Sequence, residues 1–299
     1  MKSAHQEITY ASVSDRDSRL DAPIVQQLLA EMPESVRNQF ISQFQSPTRT
    51  DTMEVLHWFE ERSEISRLAS ACPGSALPFE HLYNLKHQSA VDAYFLKSPA
   101  GHQIYERLCS IQTRLPEWIQ SVSCNGHQIC VDNIGSGPGR DMIGILAAHP
   151  NLRERVRVRC VDTDTTALEI GRKVARKRGL ADCFSYQPVS MTDVEPLPAD
   201  FILLIGILCP LPLQTCRAIL KQVRRLLKPR GIIVFSTALV KMVYDDPVTD
   251  FIMRLHGWNM CYKTEAESVA LASSTGWNVI GTFFDEPLHH HCMVVARRS

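Results

Sequence analysis

Three glycines at alternate positions form the most distinctive pattern in this sequence. Gly135, Gly137 and Gly139 stand between a short apolar run, residues 129–134, and a segment of helical spacing that begins near Met142. Because glycine has no side chain, the chain can turn sharply there and bring its main-chain N–H groups close to a ligand. Glycine-rich turns also occur as plain connections, but this position between a strand and a helix favours a ligand-binding loop.

An acidic residue follows the next apolar run at a spacing that suits an adenosine-containing cofactor. Asp162 stands directly after residues 156–161 and 23 positions beyond Gly139. From this place a carboxylate hydrogen-bonds the two ribose hydroxyls of such a cofactor. The alternative is that Asp162 only caps the helix that follows it.

Two regions of the chain differ in their hydrophobic pattern. Residues 22–120 carry apolar side chains at helical spacing and predict a bundle of four or five helices, with Pro23 in a first turn. The strand-like runs that follow lie at residues 129–134, 156–161, 201–207, 232–236, 277–284 and 292–297, and the helical segments between the first four lie at 142–148, 166–177 and 213–227. Strands that alternate with helices predict an α/β fold with a parallel, doubly wound sheet. We therefore expect a helical N-terminal cap, residues 1–122, and an α/β domain, residues 123–299.

These motifs resemble the class I S-adenosylmethionine-dependent methyltransferases. The resemblance covers residues 125–299 and is carried by residues 129–139, Val161-Asp162, residues 203–208 and the turn Leu226-Leu227-Lys228-Pro229-Arg230-Gly231. It implies a Rossmann-like sheet of seven strands with S-adenosylmethionine at the carboxyl ends of the first strands. A nicotinamide dinucleotide is the main competitor for such a loop, but G-x-G-x-G with L-K-P-R-G favours S-adenosylmethionine over the G-x-G-x-x-G pattern.

The resemblance also implies which residues hold the cofactor. The glycine loop would lie beside its methionyl part, Ser190 and Met191 would flank the adenine, and Arg107 would pair with the methionyl carboxylate. For Arg107 the alternative is a solvated helix face. The full implied set is Asn133, Gly135, Ser136, Gly137, Gly139, Asp162, Thr163, Ser190, Met191, Gly206, Ile207 and Arg107.

Asn133 departs from the pattern of the family. Members commonly carry an acidic residue two positions before the first glycine, and the neighbouring Asp132 cannot substitute because adjacent side chains on a strand point to opposite faces. The change is either a neutral variation or a functional one. A carboxylate keeps the cofactor's α-amine protonated, whereas an amide would let a neutral amine attack within the cofactor. That chemistry, cyclisation or aminocarboxypropyl transfer with release of methylthioadenosine, resembles azetidine-carboxylate-forming cyclases and nicotianamine-synthase-like enzymes.

Three residues are candidates for catalytic work on the acceptor. Tyr94 and Tyr105 are eleven positions apart and would share a helix face, unless residues 98–101 break the helix, as their sequence predicts. His256 lies in residues 241–263, an insertion that often forms the acceptor wall in this fold, and an ordinary imidazole pKa suits a general base. Its alternative is a structural histidine. Three consecutive histidines at 289–291 lack ligand partners at a recognisable spacing, so we predict a hairpin turn there and no metal site.

Composition narrows the class of partner. The 32 Lys and Arg residues balance the 32 Asp and Glu residues, which gives no net field to attract nucleic acid or a membrane surface. We expect a small-molecule substrate and a cytoplasmic location, with ten scattered cysteines in neither disulfides nor a zinc site. The sequence favours S-adenosylmethionine-dependent methylation of a small molecule in specialised metabolism. The cyclase chemistry and a cofactor-binding regulatory module stay open as alternatives.

Overall fold

Helices make up the described chain before the first strand. The computed structural model describes residues 18–46, 53–84, 89–122 and 127–298, so the segment at the predicted domain boundary, 123–126, lies outside it. The helices are α1 (Pro23–Ala30), α2 (Glu34–Gln45), α3 (Met53–Arg62), α4 (Glu64–Ala71), α5 (Leu77–Tyr83), α6 (Ala90–Lys97) and α7 (Pro99–Ser121). Pro23 stands in the first turn of α1, as predicted. The prediction of four or five helices was too low, since the described residues before the first strand form seven. Ser63 and Ser98 each cap a new helix that begins directly after the preceding one.

The rest of the chain folds into a seven-stranded sheet flanked by helices. Its strands are β1 (Ile129–Ile134), β2 (Val156–Val161), β3 (Phe184–Gln187), β4 (Ala199–Leu204), β5 (Leu227–Ala238), β6 (Trp277–Phe284) and β7 (His291–Arg298). The strand order is β3-β2-β1-β4-β5-β7-β6, and only β7 runs antiparallel to its neighbours. The predicted α/β, Rossmann-like fold is thus confirmed. The helices of this part are α8 (Arg140–Ala148), α9 (Pro150–Arg153), α10 (Thr165–Lys177), α11 (Leu213–Val223), α12 (Val240–Asp245), α13 (Pro247–Leu255) and α14 (Glu265–Ser273).

The continuous apolar runs follow from burial on both faces of the sheet. Along β4, Phe201 and Leu203 pack into one apolar cluster, while Ile202 and Leu204 pack into another on the opposite face. Successive side chains of a strand point to opposite faces, so both sets must be apolar when helices cover both. β3 was missed because it has only four residues, none of them fully buried, at the edge of the sheet. The predicted helix 213–227 ends at Val223, where a 3₁₀ turn leads into β5.

Helix α7 connects the helical part to the sheet through packing. Its first half contributes Ile104 to the core of the helical part, and its second half contributes Ile111 and Ile119 to a core of the sheet. The helical core also includes Val248 and Ile252 of α13, which come from the second half of the chain. Helices α7 and α13 therefore pack into the core of the helical part, although α7 also packs on the sheet and α13 follows β5 in the chain. Within the part of the chain that the structure describes, no helix has the length and apolar character that crossing a bilayer requires.

Gly101 allows α6 and α7 to meet at a tight corner. A methyl group on Gly101 would lie 1.7 Å from the carbonyl oxygen of Phe95, an atom of the backbone that cannot swing away. We expect Gly101→Ala to lower the free energy of unfolding by about 1–3 kcal/mol, the usual cost of overpacking. Urea denaturation measures this loss. His102→Ala, at an exposed position of the same turn, is the matched control and should change little; equal stability of the two variants would contradict this packing argument.

Candidate functional site

A cavity of about 560 Å³ lies at the carboxyl edge of the parallel strands. This is the edge at which open α/β sheets bind ligands, and the volume is typical of a small-molecule site. The loops after β1, β2, β3 and β4 line one side of it. The helical part lines the other with the loop before α5, with α5 and with α7, and residues 257–260 close one end.

The glycine loop packs between the loop after β4 and the helical part. Gly135 and Gly137 have φ angles of 62° and 48°, which favour glycine. A methyl group on Gly135 would lie 1.9 Å from the side chain of Ile207, and one on Gly137 would lie 2.4 Å from the Cβ of Ala76. Both glycines are therefore required for close approach, and both line the cavity together with Ser136.

The main-chain amides of this loop are already bonded within the protein. The N–H groups of Gly135 and Ser136 donate to the carbonyl of Val161 at 2.8 and 3.1 Å, and that of Gly137 donates to Asp162 Oδ2 at 2.7 Å. Close approach of these amides to a ligand stays a prediction. Gly139 forms the N-cap of α8 and does not line the cavity. The contribution of Gly135 and Gly137 to the cavity wall is the absence of a side chain, which leaves room beside the backbone.

Asp162 lies where its sequence position predicts, beside the loop and in the cavity wall with Thr163. Its two carboxylate oxygens accept from the N–H groups of Gly137 and Asp164 at 2.7 and 2.9 Å. The cap of α10 is Asp164, whose Oδ1 accepts from Ala167 N at 3.0 Å, so the helix-cap interpretation of Asp162 is wrong. Each oxygen of Asp162 keeps a second lone pair, which leaves it able to accept from ribose hydroxyls.

A carboxylate missed by the sequence analysis lies beside Asn133. The Nδ2 of Asn133 donates to Asp141 Oδ1 at 2.8 Å, and the N–H of Met142 donates to the same oxygen at 2.7 Å. Asn133 and Asp141 are both buried and both line the cavity. Burial raises the pKa of Asp141 to about 6, although these hydrogen bonds and the charge of Arg107 act to lower it. The sequence signal was an acidic residue in the first turn of the helix after the glycines.

Arg107 is a buried cation in the cavity wall. It is 6% exposed, and it hydrogen-bonds with the hydroxyl of Tyr83. No carboxylate among the described residues lies within ion-pair distance of its guanidinium. The solvated-face interpretation of Arg107 is therefore wrong. A buried guanidinium in a cavity wall, with no carboxylate in ion-pair contact, is typical of a site for an anionic ligand.

The remaining predicted cofactor residues divide between the cavity wall and its surroundings. Met191, Gly206 and Ile207 line the cavity. Ser190 does not, because its hydroxyl lies 2.9 Å from the hydroxyl of Thr192 and caps a 3₁₀ turn. Of the twelve predicted residues, only Ser190 and Gly139 are outside the wall.

The three predicted catalytic residues do not reach the cavity. Tyr94 is buried in the helical core with its hydroxyl 3.0 Å from Thr249 Oγ1, and Tyr105 lies on α7 outside the cavity wall. As predicted, Ser98 ends α6 and starts α7, so the two tyrosines are on different helices. The Nδ1 of His256 lies 2.8 Å from the hydroxyl of Ser70, and its ring is buried away from the cavity. We therefore do not retain them as catalytic residues.

His256 instead makes a prediction about stability. Burial lowers the pKa of His256 from 6.5 to about 4, so the folded protein holds the ring neutral where the unfolded chain protonates it. The unfolded chain thus binds more protons between about pH 4 and pH 6.5, and stability falls as pH falls through that window. We expect His256→Asn, which can keep the bond to Ser70, to lose less unfolding free energy than the wild type between pH 7 and pH 4.5. Urea denaturation at both pH values measures the difference, and equal losses would contradict the assignment.

The three consecutive histidines each contact a different carboxylate. His289 Nε2 lies 2.8 Å from Glu286, and His290 Nε2 lies 2.9 Å from Asp245. His291 Nδ1 lies 2.8 Å from Asp285 Oδ2, and His291 lines the cavity. No group of three metal-ligating side chains occurs in the described residues. The predicted hairpin turn is present between β6 and β7, but the role of His291 in the cavity wall was not predicted.

Much of the remaining cavity wall is apolar. It combines aromatic rings with thioether side chains on the insertion that the sequence analysis assigned to the acceptor. Its apolar members are Phe79, Ile104, Leu108, Cys209, Pro210, Met242, Met253, Trp258 and Met260. Such a wall can bury the apolar surface of a small ligand.

The fold is shared with solved S-adenosylmethionine-dependent methyltransferases. Residues 133–233 match the family model described as a methyltransferase domain, for which S-adenosylmethionine is the methyl donor. This match covers 101 of the 299 residues and runs from Asn133 through the glycine loop and Asp162 into β5. A comparison with curated proteins by sequence gave no match.

Solved structures share the fold at low sequence identity. A possible exported protein from Bordetella parapertussis superposes with a TM-score of 0.67 at 17% identity over 99% of both chains. The methyltransferase SibL without ligand gives a TM-score of 0.59 at 17% identity, over 92% of this chain and 72% of the other. Magnesium protoporphyrin IX methyltransferase from Synechocystis, with bound S-adenosylhomocysteine, gives 0.56 at 13% identity, over 74% and 92% of the two chains.

Proposed function

We propose that this protein transfers the methyl group of S-adenosylmethionine to a small molecule that binds in the same cavity. The observation that carries this proposal is the presence of one unpaired cation and two carboxylates around the glycine loop. Arg107, Asp141 and Asp162 all line the cavity. The methionyl end and the ribose of S-adenosylmethionine present a carboxylate, an ammonium group and two hydroxyls, which match these three groups in type.

Each of these residues has a task that follows from its surroundings. Arg107 would bind the α-carboxylate, which supplies the counter-ion that it lacks. Asp141, with Asn133, would bind the α-ammonium group, and Asp162 would bind the ribose. Val189 and Met191 would contact the adenine at the end of β3. When bound, S-adenosylmethionine supplies a methyl carbon that is already activated, so the protein mainly needs to position the acceptor and exclude water.

The helical part would enclose the acceptor. It is joined to the cofactor loops by Arg140 Nε, 2.9 Å from Glu80 Oε1, and by the hydroxyl of Ser75, 2.6 Å from Asp164 Oδ2. We propose that residues 1–122 act as this cap on residues 123–299. The apolar wall supports a small, flat acceptor, as does a fold shared with mitomycin 7-O-methyltransferase at a TM-score of 0.51. Specialised metabolism and a cytoplasmic location stay predictions.

The position of Asp141 favours methyl transfer over chemistry within the cofactor. The cyclisation hypothesis depended on an uncharged amide, Asn133, beside the α-amine. Asp141 supplies a carboxylate in hydrogen-bond contact with that amide, so the amine has an anionic partner that keeps it protonated. The observation that raised the alternative therefore no longer supports it.

Product analysis tests the proposal. Isothermal titration calorimetry with S-adenosylmethionine establishes binding, and incubation with or without candidate acceptors is followed by chromatography of the nucleoside products. We expect binding, no turnover of the cofactor alone, and S-adenosylhomocysteine once an acceptor is added. Methylthioadenosine without an acceptor would overturn methyl transfer in favour of cyclisation. Binding with neither product would favour the regulatory module.

A further inference from the structure

His291 and Asp285 form a buried pair at the edge of the cavity. His291 is the first residue of β7 and pairs with Ala238 at the carboxyl end of β5. The N–H of His291 donates to Asp285 Oδ1 at 2.7 Å, and its ring Nδ1 lies 2.8 Å from Asp285 Oδ2. Asp285 has no exposed surface and His291 is 2% exposed. One carboxylate thus holds both the backbone and the ring of the histidine.

The pair fixes which ring nitrogen carries the proton. Burial acts to raise the pKa of Asp285, but the two hydrogen bonds from His291, and the charge of its ring when protonated, outweigh burial and place the pKa below its ordinary value. An ionised carboxylate only accepts hydrogen bonds, so Nδ1 must be the donor. In a neutral ring the lone pair then lies on Nε2, for which the described residues supply no hydrogen-bond partner. With Nδ1 turned to Asp285, Nε2 is the nitrogen left for the cavity.

The charges around His291 favour a neutral ring. Burial lowers the pKa of His291, and Arg107 on α7 and the adjacent His290 lower it further. Asp285 opposes them. His290 contacts Asp245 of α12, and the same carboxylate pairs with Lys241. The negative charge of Asp245 is therefore balanced by its own partners. The surroundings therefore keep the ring of His291 neutral near pH 7, with an unprotonated nitrogen as a hydrogen-bond acceptor.

We propose that His291, positioned by Asp285, is the general base that takes the proton from a hydroxyl group of the acceptor. This inference rests on the proposed methyl transfer. Nε2 of His291 takes the hydroxyl proton while the acceptor oxygen forms its bond to the methyl carbon, and the carbon–sulfur bond breaks with its electron pair left on sulfur. The imidazolium then returns the proton to solvent. Arg107 lies near both His291 and Gly206, at the end of β4 where the resemblance places the sulfonium.

The apolar side chains that line the same cavity indicate the class of acceptor. Trp258, Met253 and Met260 offer an aromatic ring and two thioethers, which suit a planar apolar ring. A hydroxyl on such a ring is a phenol, which is acidic enough for imidazole to deprotonate during transfer. The structure thus assigns a phenol-class acceptor that is methylated on oxygen.

Nitrogen NMR of the full-length protein tests the base without any turnover. The protein carries ¹⁵N-labelled histidine and is saturated with S-adenosylhomocysteine, and the His291 signals are assigned by comparison with His291→Asn. We expect a proton on Nδ1, a bare Nε2 and a shift of the Nε2 signal on addition of phenol. In Asp285→Asn the proton should move to Nε2. A proton on Nε2 in the wild type, or no response to phenol, would overturn the proposal.

Kinetics with substituted phenols provide the second readout. His291→Asn keeps a donor toward Asp285 but removes Nε2, and His289→Asn is the matched control, since asparagine tolerates the positive φ of 58° at that position. We expect His291→Asn to lower kcat on phenol by about 10²–10⁴-fold and to remove the fall of kcat at low pH from the pH–rate profile. Its cofactor affinity, measured by calorimetry, should equal that of the wild type. On 4-nitrophenol, which is already ionised at the assay pH, it should approach the control.

The outcomes separate this inference from the proposed function. Equal loss on phenol and 4-nitrophenol, or no loss on either, would overturn the base assignment while methyl transfer stands. A protein that binds S-adenosylmethionine but methylates no phenol would overturn the acceptor class. A protein that does not bind S-adenosylmethionine would overturn the proposed function itself.

Discussion

Arg107→Met should weaken S-adenosylmethionine binding by at least about 100-fold with little change in the stability of the unliganded protein. The guanidinium is buried, faces the cavity and has no ion-pair partner in the described chain. In the unliganded protein the cost of its burial is offset by Tyr83 and by the charges of Asp141 and Asp285, none of them in an ion pair with it, so an apolar side chain of similar length should change Tm little. In the complex it would make charge-assisted hydrogen bonds to the α-carboxylate, and these disappear with methionine. Titration calorimetry measures the affinity and differential scanning calorimetry measures Tm.

Two controls separate the charge of Arg107 from its packing. Arg172→Met removes an exposed arginine paired with Glu169 and should change neither affinity nor Tm. Arg107→Lys keeps a positive charge but loses the planar fork, so an intermediate affinity is expected. Unchanged cofactor affinity in Arg107→Met would contradict the assignment. A large fall of Tm with unchanged affinity would mean that Arg107 serves the packing of α7 alone.

The sequence predicted the parts of the site that depend on local geometry. The loop needs glycine where neighbouring atoms leave no room for a side chain, at Gly135 and Gly137, and such positions are visible as residue types. Asp162 follows a strand directly, so its place at the carboxyl edge follows from strand length and order. The continuous apolar runs predicted a sheet covered on both faces, because alternate side chains of a strand point to opposite faces and both sets are apolar.

The sequence did not predict which polar side chains turn toward the cavity. Tyr94 and His256 belong to residue types common in active sites, but their rings pack into a core that helices from both halves of the chain build together. Asp285 and His291 are six positions apart and come together only because β6 and β7 form a hairpin. Asp141 resembles an ordinary first-turn helix residue until Asn133 is seen to donate to it. These relations come from tertiary packing, which residue spacing alone does not encode.

Asp141→Asn should lower the affinity for S-adenosylmethionine by about 10–100-fold and remove most of its pH dependence. The pKa of Asp141 lies at about 6 in the unliganded protein, and an ammonium group beside the carboxylate must lower it. Binding therefore favours the ionised form. Wild-type affinity should be constant above about pH 7 and should fall as pH drops below 6, whereas the variant should lack this fall. Calorimetry from pH 5 to pH 8 measures both effects.

Exchanging the two side chains tests whether Asp141 replaces the carboxylate that the family carries at the end of β1. In the double variant Asn133→Asp with Asp141→Asn, one carboxylate and one amide remain in hydrogen-bond reach, so most of the lost affinity should return. Asn133→Asp alone places two carboxylates where Asn133 now donates to Asp141 at 2.8 Å. Such a pair shares one proton and titrates as a unit, so this variant should bind with a pH dependence shifted to higher pH. If the double variant binds no better than Asp141→Asn, the carboxylate acts only from α8, and Asn133 is then required as an amide that orients it.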